Sequence, residues 1–252
     1  MSVAIVTGAS SGIGRSAAVK LAERGWGVIA TYAGSRERGL ETVAEVEAVG
    51  GTAVALHLDL GASADFPAFK GRVAEALAQT WNATGVGALV NNGGQAQAAS
   101  FEDTSEALFD DLTRVLLKGP YFLTQALLPL IEDGGAIVNT TSSSATASEM
   151  APGYSVYGSL KGGLIVLTRF MAKEFSPRGI RVNAVAPGPT RTRLGGNAFE
   201  RFPELAGPLA ADTALGRVGE PDDIGLAIAA LCSEESRWIT AQSIEVSGGY
   251  KL

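Results

Sequence analysis

The sequence contains few of the residues that mark metal-binding or disulfide-stabilised proteins. Its 252 residues include one cysteine and one histidine. Cys232 therefore has no partner for an internal disulfide and is interpreted as a small core residue. His57, next to the end of a candidate strand, is given no catalytic role, and no metal site is predicted. No apolar run reaches the roughly 20 residues that span a bilayer, and no sequence period repeats.

An excess of positive charge is also missing. The chain has 20 Lys and Arg against 26 Asp and Glu, a net charge of -6, so no basic field attracts nucleic acid or anionic lipid. The first residues, "MSVAIVTGAS", lack the basic start and long apolar run of a signal peptide. We therefore expect a cytoplasmic protein with neither nucleic acid nor membrane as partner.

Short β-branched runs alternate with longer amphipathic stretches along the chain. This alternation predicts an α/β fold with a parallel seven-stranded sheet and helices on both faces, in a single domain covering 1–252. Residues 188–220 show no clear strand or helix, as in a binding lid or a disordered loop. The predicted strands are 3–7, 27–32, 52–58, 87–91, 135–141, 180–186 and 242–246, and the predicted helices lie near 12–24, 36–49, 63–80, 105–131, 155–177 and 221–233.

A glycine-rich turn follows the first strand. In "TGASSGIGR", Gly8, Gly12 and Gly14 occupy the turn and the opening of the next helix. In a β–α–β unit such glycines let the backbone approach a pyrophosphate, which binds the free N–H groups at the start of the helix. A glycine trio alone is a weak signal in a chain with 32 glycines. Its position after the first strand favours dinucleotide binding over a plain turn.

Two tyrosines and one lysine lie close together in "GYSVYGSLKGG". Residues four apart share a helix face, so Lys161 is the neighbour of Tyr157, whereas Tyr154 lies about 10 Å away along the axis. A phenol titrates near pH 10, and a nearby ammonium group would lower that pKa and allow proton transfer at neutral pH. We expect Lys161 to lower the pKa of Tyr157, although Tyr-x-x-x-Lys also occurs by coincidence.

Several spaced motifs together resemble the short-chain dehydrogenase/reductase family over essentially the whole chain. Besides the glycine turn and Tyr157–Lys161, they are "NNGG" at 91–94, the serines after strand five, "APGPTRT" after strand six and a C-terminal "GG". The resemblance implies a Rossmann-type doubly wound fold and hydride transfer between NAD(P)H and a carbonyl or alcohol. It also implies that Tyr157 is the acid/base, that Lys161 lowers its pKa and holds the nicotinamide ribose, and that a serine binds the substrate oxygen.

The identity of that serine is ambiguous. The segment "VNTTS" matches the family's "VNxSS" and selects Ser142, whereas the family's usual spacing of thirteen residues before the tyrosine selects Ser144. We favour Ser142 because a strand end fixes position rigidly, while the loop "SSATASEMAPG" could absorb two extra residues.

The cofactor is predicted from the end of strand two. NAD enzymes place a carboxylate there, whereas "ATYAGSRER" has no acid before Glu37, so NADP (NADPH) is favoured over NAD. Ser35 and Arg36 are the predicted ligands of the 2′-phosphate, with Arg15 as a further contributor; alternatively, the arginines only begin a solvated helix. The full predicted cofactor site comprises Gly8, Ser10, Ser11, Gly12, Ile13, Gly14, Ser35, Arg36, Asp59, Leu60, Asn91, Gly93, Tyr157, Lys161, Pro187, Gly188, Thr190 and Thr192.

Some positions depart from the family pattern. Leu116 replaces an asparagine that usually supports a water linked to the lysine, which puts the proton relay in doubt. Gly93 replaces an alanine and should keep the turn. Ala241 and Ser247 stand where the family often has Gly and Asp.

The expected function is NADP-dependent interconversion of a carbonyl and an alcohol by an enzyme that forms a homotetramer. The segment 193–216 carries several large apolar residues and is predicted to cover a small-molecule substrate; alternatively, it only packs onto the core. Two other functions stay open. One is a catalytically weak NADP(H)-binding sensor or structural protein, and the other is a 3-oxoacyl-thioester reductase.

Overall fold

Seven parallel strands form one sheet in the order β3-β2-β1-β4-β5-β6-β7. The computed structural model describes residues 1–146 and 150–252. The strand order reverses direction at β1, so the crevice between β1 and β4 opens at the carboxyl edge, where doubly wound sheets bind ligands. The strands are β1 (Val3–Val6), β2 (Gly27–Tyr32), β3 (Ala53–His57), β4 (Val86–Asn91), β5 (Ile131–Thr140), β6 (Arg181–Pro187) and β7 (Ser243–Val246).

Helices cover both faces of the sheet, as predicted. The first face is covered by α1 (Gly12–Ala22), α2 (Arg36–Ala48) and α9 (Pro221–Cys232). The second is covered by α3 (Phe66–Trp81), α5 (Gly119–Leu127) and α6 (Ser155–Phe175). Because successive side chains of a strand point to opposite faces, β1 contributes Ala4 and Val6 to the first core and Val3 and Ile5 to the second.

The predicted helix 105–131 is two helices joined by a wider turn. α4 (Glu106–Thr113) leads into a π-helical turn, Arg114–Lys118, which continues into α5. A 3₁₀ turn, Leu128–Leu130, ends the helical region, and Ile131 already belongs to β5. The sequence prediction missed the π turn because apolar side chains recur through it without interruption.

Residues 188–220, which showed no clear helix in the sequence, contain two short ones. They are α7 (Leu194–Arg201) and α8 (Ala206–Ala211). Gly195, Gly196 and Asn197 in α7 all have left-handed backbone angles, so the helix has an irregular first turn. Helices of eight and six residues are too short to produce a clear periodic pattern in the sequence.

Two predictions concern other parts of the chain. Residues 147–149, in the loop proposed to absorb extra length between Ser142 and Tyr157, lie outside the described residues. In the part of the chain that is described, no helix is long and apolar enough to cross a membrane.

Candidate active site

The glycine turn lies at the carboxyl edge of the sheet, against the loop that follows β4. Gly8 has a φ of 63°, and a Cβ there would lie 2.6 Å from the Cα of Gly93. A Cβ on Gly14 would lie 2.4 Å from the carbonyl oxygen of Gly8. The Thr7 hydroxyl ties the two loops together by accepting hydrogen bonds from the N–H groups of Asn92 and Gly93, both at 2.9 Å. Only glycine fits this close approach of two backbones.

The first turn of α1 offers backbone N–H groups to an anion. Ser11 precedes the helix in an extended conformation, and its hydroxyl makes no capping hydrogen bond within the described residues. Gly12 leaves the backbone uncovered on this side, where the nearest side chain is Thr192, 3.2 Å from the position of a Cβ. Ile13 packs against the core behind the turn. This cradle fits the pyrophosphate of a dinucleotide.

A cavity of about 750 Å³ extends from this cradle to the end of β2. Its walls include Ser11 and Gly12 of the turn and Ser35 and Arg38 at the start of α2. The Ser35 hydroxyl caps α2 by accepting a hydrogen bond from the N–H of Arg38, at 3.3 Å. The predicted ligand Arg36 is the first residue of α2 and is exposed; it is not part of the cavity wall.

Arg15 also lines the cavity, but carboxylates engage its guanidinium group. Its Nη2 lies 2.8 Å from Glu41 and its Nη1 lies 2.9 Å from Glu45. The same Nη2 donates a hydrogen bond to the carbonyl oxygen of Ser10, at 2.8 Å. Arg15 therefore holds α2 against the glycine turn.

Asp59 and Leu60 follow β3, where the resemblance places contacts to adenine. Asp59 is exposed and accepts a hydrogen bond from the N–H of Gly61 at 2.8 Å. Leu60 is buried beside Gly93, where a Cβ would lie 2.8 Å from the Leu60 side chain. A glycine at position 93 is therefore compatible with the bulk of Leu60.

The side chain of Asn91 lies inside the fold rather than in the cofactor groove. It donates hydrogen bonds to Thr124 of α5, at 3.1 Å, and to Asn139 of β5, at 2.9 Å. Asn139 in turn donates to Thr168 of α6, at 2.9 Å. This buried network ties the two central strands to the helices of the second face, so only the backbone of Asn91 is left for a cofactor.

Asn92, which was not among the predicted site residues, holds the glycine turn. Its side-chain Nδ2 donates a hydrogen bond to the backbone carbonyl oxygen of Thr7, at 3.1 Å. Its side-chain Oδ1 accepts a hydrogen bond from the Thr140 hydroxyl, at 3.4 Å. The doubled asparagine in "NNGG" was the signal that could have identified it. Asn91 ends β4 and its side chain bonds inside the fold, whereas Asn92 follows the strand and its side chain bonds to the glycine turn, so the two asparagines have different roles.

The segment after β6 reaches the other side of the cradle. Pro187 ends the strand, and a Cβ on Gly188 would lie 2.7 Å from the Ser247 side chain. The Thr190 hydroxyl is buried and donates to the carbonyl oxygen of Gly188 at 2.9 Å. The Thr192 side chain lies 3.2 Å from the position of a Cβ on Gly12, which brings the segment to the glycine turn.

The Tyr157 and Lys161 side chains are both buried on one face of α6. The Nζ atom of Lys161 lies 5.7 Å from the centre of the Tyr157 ring and donates a hydrogen bond to the carbonyl oxygen of Thr140 at 2.7 Å. Burial lowers the pKa of Lys161 to about 8 because desolvation disfavours the charged amine.

The pKa of Tyr157 is shifted in the direction opposite to the prediction. Burial raises it above its ordinary value, and the negative charge of a Tyr154 phenolate would add to that effect. A hydrogen bond with the Ser142 hydroxyl acts in the lowering direction but does not outweigh burial. The Lys161 ammonium group lies 5.7 Å from the centre of the ring and donates its hydrogen bond to Thr140. The phenol is therefore protonated at neutral pH.

The geometry distinguishes the two candidate serines. The Ser142 hydroxyl hydrogen-bonds to Tyr157 and accepts a hydrogen bond from the N–H of Ser144, at 3.1 Å. Ser144 instead lies in a 3₁₀ turn, with its carbonyl oxygen 3.3 Å from the position of a Cβ on Gly158. The structure thus brings Ser142, rather than Ser144, to the phenol.

Comparison with known proteins identifies the family. The family model described as "Enoyl-(Acyl carrier protein) reductase" matches residues 8–251. The chain is 36% identical to the 3-oxoacyl-[acyl-carrier-protein] reductase FabG of Staphylococcus aureus, over 98% of this chain and 96% of that protein. It is also 36% identical to an uncharacterized oxidoreductase of Methylorubrum extorquens, over 99% of this chain and 97% of that protein.

The chain belongs to the short-chain dehydrogenase/reductase family. Similar solved structures include LugOII, described as a promiscuous reductase that catalyses keto-reduction at C1 during lugdunomycin biosynthesis. Its TM-score is 0.93, with 36% identity over 100% of this chain and 98% of that one. The angucycline C-6 ketoreductase LanV with bound NADP also has a TM-score of 0.93, with 34% identity over 99% of this chain and 95% of that one.

Leu116 of this short-chain dehydrogenase/reductase packs in the same buried cluster as Tyr157. Its side chain is 1% exposed, and the cluster also includes Leu112 and Leu160. The position of a Cβ on Gly94 lies 3.2 Å from the Leu116 Cδ2 and 4.0 Å from the Lys161 Nζ. The structure thus places a buried apolar side chain where the family usually has an asparagine.

Residues 193–216 lie next to the cofactor cradle and present apolar side chains. Leu194, Phe202 and Leu205 are between 42% and 45% exposed. Just before this segment, Arg191 stacks on Phe199 and pairs with Glu220 at 3.1 Å. Within residues 1–146 and 150–252, no group of three or more His, Cys, Asp and Glu residues could hold a metal ion.

Proposed function

We propose that the protein is an NADP(H)-dependent oxidoreductase that interconverts a carbonyl and an alcohol, with Tyr157 as acid/base. The observation that carries this proposal is the meeting of Ser142 and Tyr157 with the buried Lys161 at the carboxyl edge of the sheet. That edge also carries the glycine cradle that fits a dinucleotide. The membership of the chain in an oxidoreductase family supports the reaction type.

In the proposed reduction, Tyr157, Ser142 and Lys161 have different roles. The protonated Tyr157 phenol donates its proton to the oxygen of the carbonyl, and the Ser142 hydroxyl binds that oxygen and stabilises its developing charge. Lys161, whose pKa is lowered to about 8, would hold the nicotinamide ribose and take part in returning a proton to Tyr157. When bound, NADPH supplies the hydride.

The proposed preference for NADP rests on the end of β2. Tyr32 is followed by Ala33 and Gly34 and then by Ser35, so no carboxylate stands at the position that binds a ribose 2′-hydroxyl in NAD enzymes. Ser35 and Arg38 instead line the cavity and can hydrogen-bond to a 2′-phosphate. The NADP in the LanV structure is consistent with this preference.

The substrate we propose is a small ketone with apolar character. The exposed apolar side chains of residues 193–216 would cover it, and two of the similar structures are ketoreductases by description. The similarity to FabG supports a second candidate, reduction of a 3-oxoacyl thioester. The buried Leu116, at the position where the family usually has an asparagine, favours a third, a catalytically weak protein that binds NADP(H).

A carbonyl panel tests the proposal and separates these candidates. The purified protein is incubated with NADPH or NADH and with apolar ketones, polycyclic aromatic ketones, or 3-oxoacyl thioesters, and cofactor absorbance is followed. We expect ketones to be reduced with NADPH in preference to NADH. Activity on thioesters alone would favour the second candidate. NADPH binding with no turnover of any carbonyl would favour the third.

A further inference from the structure

The cavity beside the glycine cradle contains an unusual number of guanidinium groups. Four arginines from three separate parts of the chain line it. A phosphate group is bound best by guanidinium groups because their N–H donors match its oxygens in pairs. The four are Arg15 of α1, Arg38 of α2, and Arg191 and Arg193 of the segment that leads into α7.

Carboxylates already engage two of them, and one of these carboxylates, Glu41, itself lines the cavity. Arg15 is shared between Glu41 and Glu45, at 2.8 and 2.9 Å. Arg191 pairs with Glu220, the residue that caps α9, at 3.1 Å. These two arginines hold elements together.

The other two have no such partner. Among the residues that the structure describes, neither Arg38 nor Arg193 takes part in an ion pair. Glu37 and Glu200 also line the cavity, so its wall is mixed in charge rather than uniformly basic. Arg38 and Arg193 are thus the two guanidinium groups available to an anion in this cavity.

Arg191 fixes the part of the chain that carries Arg193. The Arg191 guanidinium lies 5.7 Å from the centre of the Phe199 ring while it pairs with Glu220. The backbone is left-handed at Gly195–Asn197, and Phe199 in the second half of α7 forms part of the cavity wall. The start of the segment 193–216 therefore lines the same cavity as Ser11 and Gly12 of the glycine turn.

We propose that Arg193, together with Arg38, binds a phosphate group of the dinucleotide, so that the segment 193–216 closes on the cofactor as well as on the substrate. This inference rests on the proposed NADP(H) function. Because Arg193 belongs both to the segment and to the cofactor site, binding of the cofactor would order the segment before the substrate binds.

Titration of the full-length protein with NADPH and NADH tests the inference directly. We expect Arg193→Ala to weaken NADPH binding roughly tenfold or more, the scale of a lost charge-assisted hydrogen bond. A loss for NADPH alone assigns the contact to the 2′-phosphate, and an equal loss for NADH assigns it to the pyrophosphate; both support the proposal. Arg201→Ala is the matched control, because Arg201 lies on the same helix but stacks on Phe202 outside the cavity wall.

Limited proteolysis with chymotrypsin gives a second readout that does not depend on activity. Saturating NADPH should protect the segment 193–216 from cleavage in the wild type and in Arg201→Ala but not in Arg193→Ala. Unchanged affinity and protection in Arg193→Ala, or equal losses in Arg201→Ala, would overturn the inference. A wild type that binds neither cofactor would instead contradict the proposed function.

Discussion

Burial shifts both ionisable groups of the catalytic pair toward their neutral forms. The pKa of Tyr157 is raised and that of Lys161 is lowered to about 8. Both shifts have the same cause, since desolvation disfavours a phenolate and an ammonium group alike. The protein therefore presents a protonated phenol, ready to act as an acid, close to an amine whose pKa is about 8.

The buried amine of Lys161 should make stability depend on pH. Its pKa is about 8 in the folded protein against 10.5 for an ordinary lysine, so between these values the unfolded chain binds more protons and stability rises with pH. Relative to Lys161→Met, the wild type should gain about 2 kcal/mol between roughly pH 7.5 and pH 9.5. Urea denaturation of both proteins measures this difference, and parallel stability curves would contradict the assigned pKa.

The serine assignment leads to a paired prediction. Ser142→Ala should lower turnover by roughly a hundredfold, because it removes a hydrogen bond to the developing oxyanion. Ser144→Ala should act mildly, since the hydroxyl that reaches Tyr157 belongs to Ser142. Steady-state kinetics with one active ketone measures both variants. A larger loss in Ser144→Ala would show that spacing, rather than the strand end, identifies the serine.

The sequence identified which kinds of residue form the site, but it could not show which of their side chains point into the cavity. The structure brings Tyr157, Lys161 and Ser142 together. It leaves the predicted ligand Arg36 exposed at the start of α2, whereas Arg38, which was not predicted, lines the cavity. A shift of two residues at a helix start turns a side chain from solvent to groove. The pKa of Tyr157 could not be predicted either, because it depends on burial, which helix spacing does not report.

At the scale of elements, the sequence predicted the strands and most helices but not the join between α4 and α5. Pro120 near the start of α5 was a local signal of a break, since proline favours the first turn of a helix. The π turn carries Leu116, which packs in the same buried cluster as Tyr157. A π turn is set by packing between helices, so an apolar pattern alone cannot show it.

The connection into β7 contains a residue with a strained backbone, and a substitution to glycine should relieve that strain. Ala241 has a φ of 60°, in the left-handed region where a Cβ is unfavourable, and the family often has glycine there. Ala241→Gly should raise the free energy of unfolding by about 1 kcal/mol. Chemical denaturation measures the change.

A glycine-to-alanine substitution at another position with positive φ is the control for Ala241→Gly. Gly134 has a φ of 78° and open space around the position of a Cβ, so Gly134→Ala tests backbone strain without a clash. It should lower stability by about 1 kcal/mol. No gain in Ala241→Gly would show that the connection does not strain the protein.

At the scale of the whole molecule, exposed apolar side chains of α5 and α6 predict self-association. Tyr121 and Phe122 of α5 are 45% and 40% exposed, and Val166 and Phe170 of α6 are 52% and 61% exposed. Burying them between subunits would remove large apolar side chains from water. We expect a homotetramer, and light scattering at micromolar concentration measures its mass.

Substitution of an exposed apolar residue on α6 tests whether these helices form the subunit interface. Phe170→Lys should lower the measured mass, whereas Phe101→Lys should not, because Phe101 is 87% exposed on the loop after β4 rather than on α5 or α6. A wild-type monomer would contradict the proposed assembly.

Transient kinetics of hydride transfer tests the central claim most directly. The wild type, Tyr157→Phe and Tyr154→Phe are each mixed with NADPH and a ketone that the wild type reduces, and the loss of NADPH absorbance is followed through a single turnover. Tyr157→Phe should abolish hydride transfer while its NADPH affinity stays within a few-fold, because the lost hydroxyl acts on the substrate and the ring still packs. Tyr154→Phe should transfer hydride at a rate close to that of the wild type. Near-normal hydride transfer in Tyr157→Phe would contradict the account.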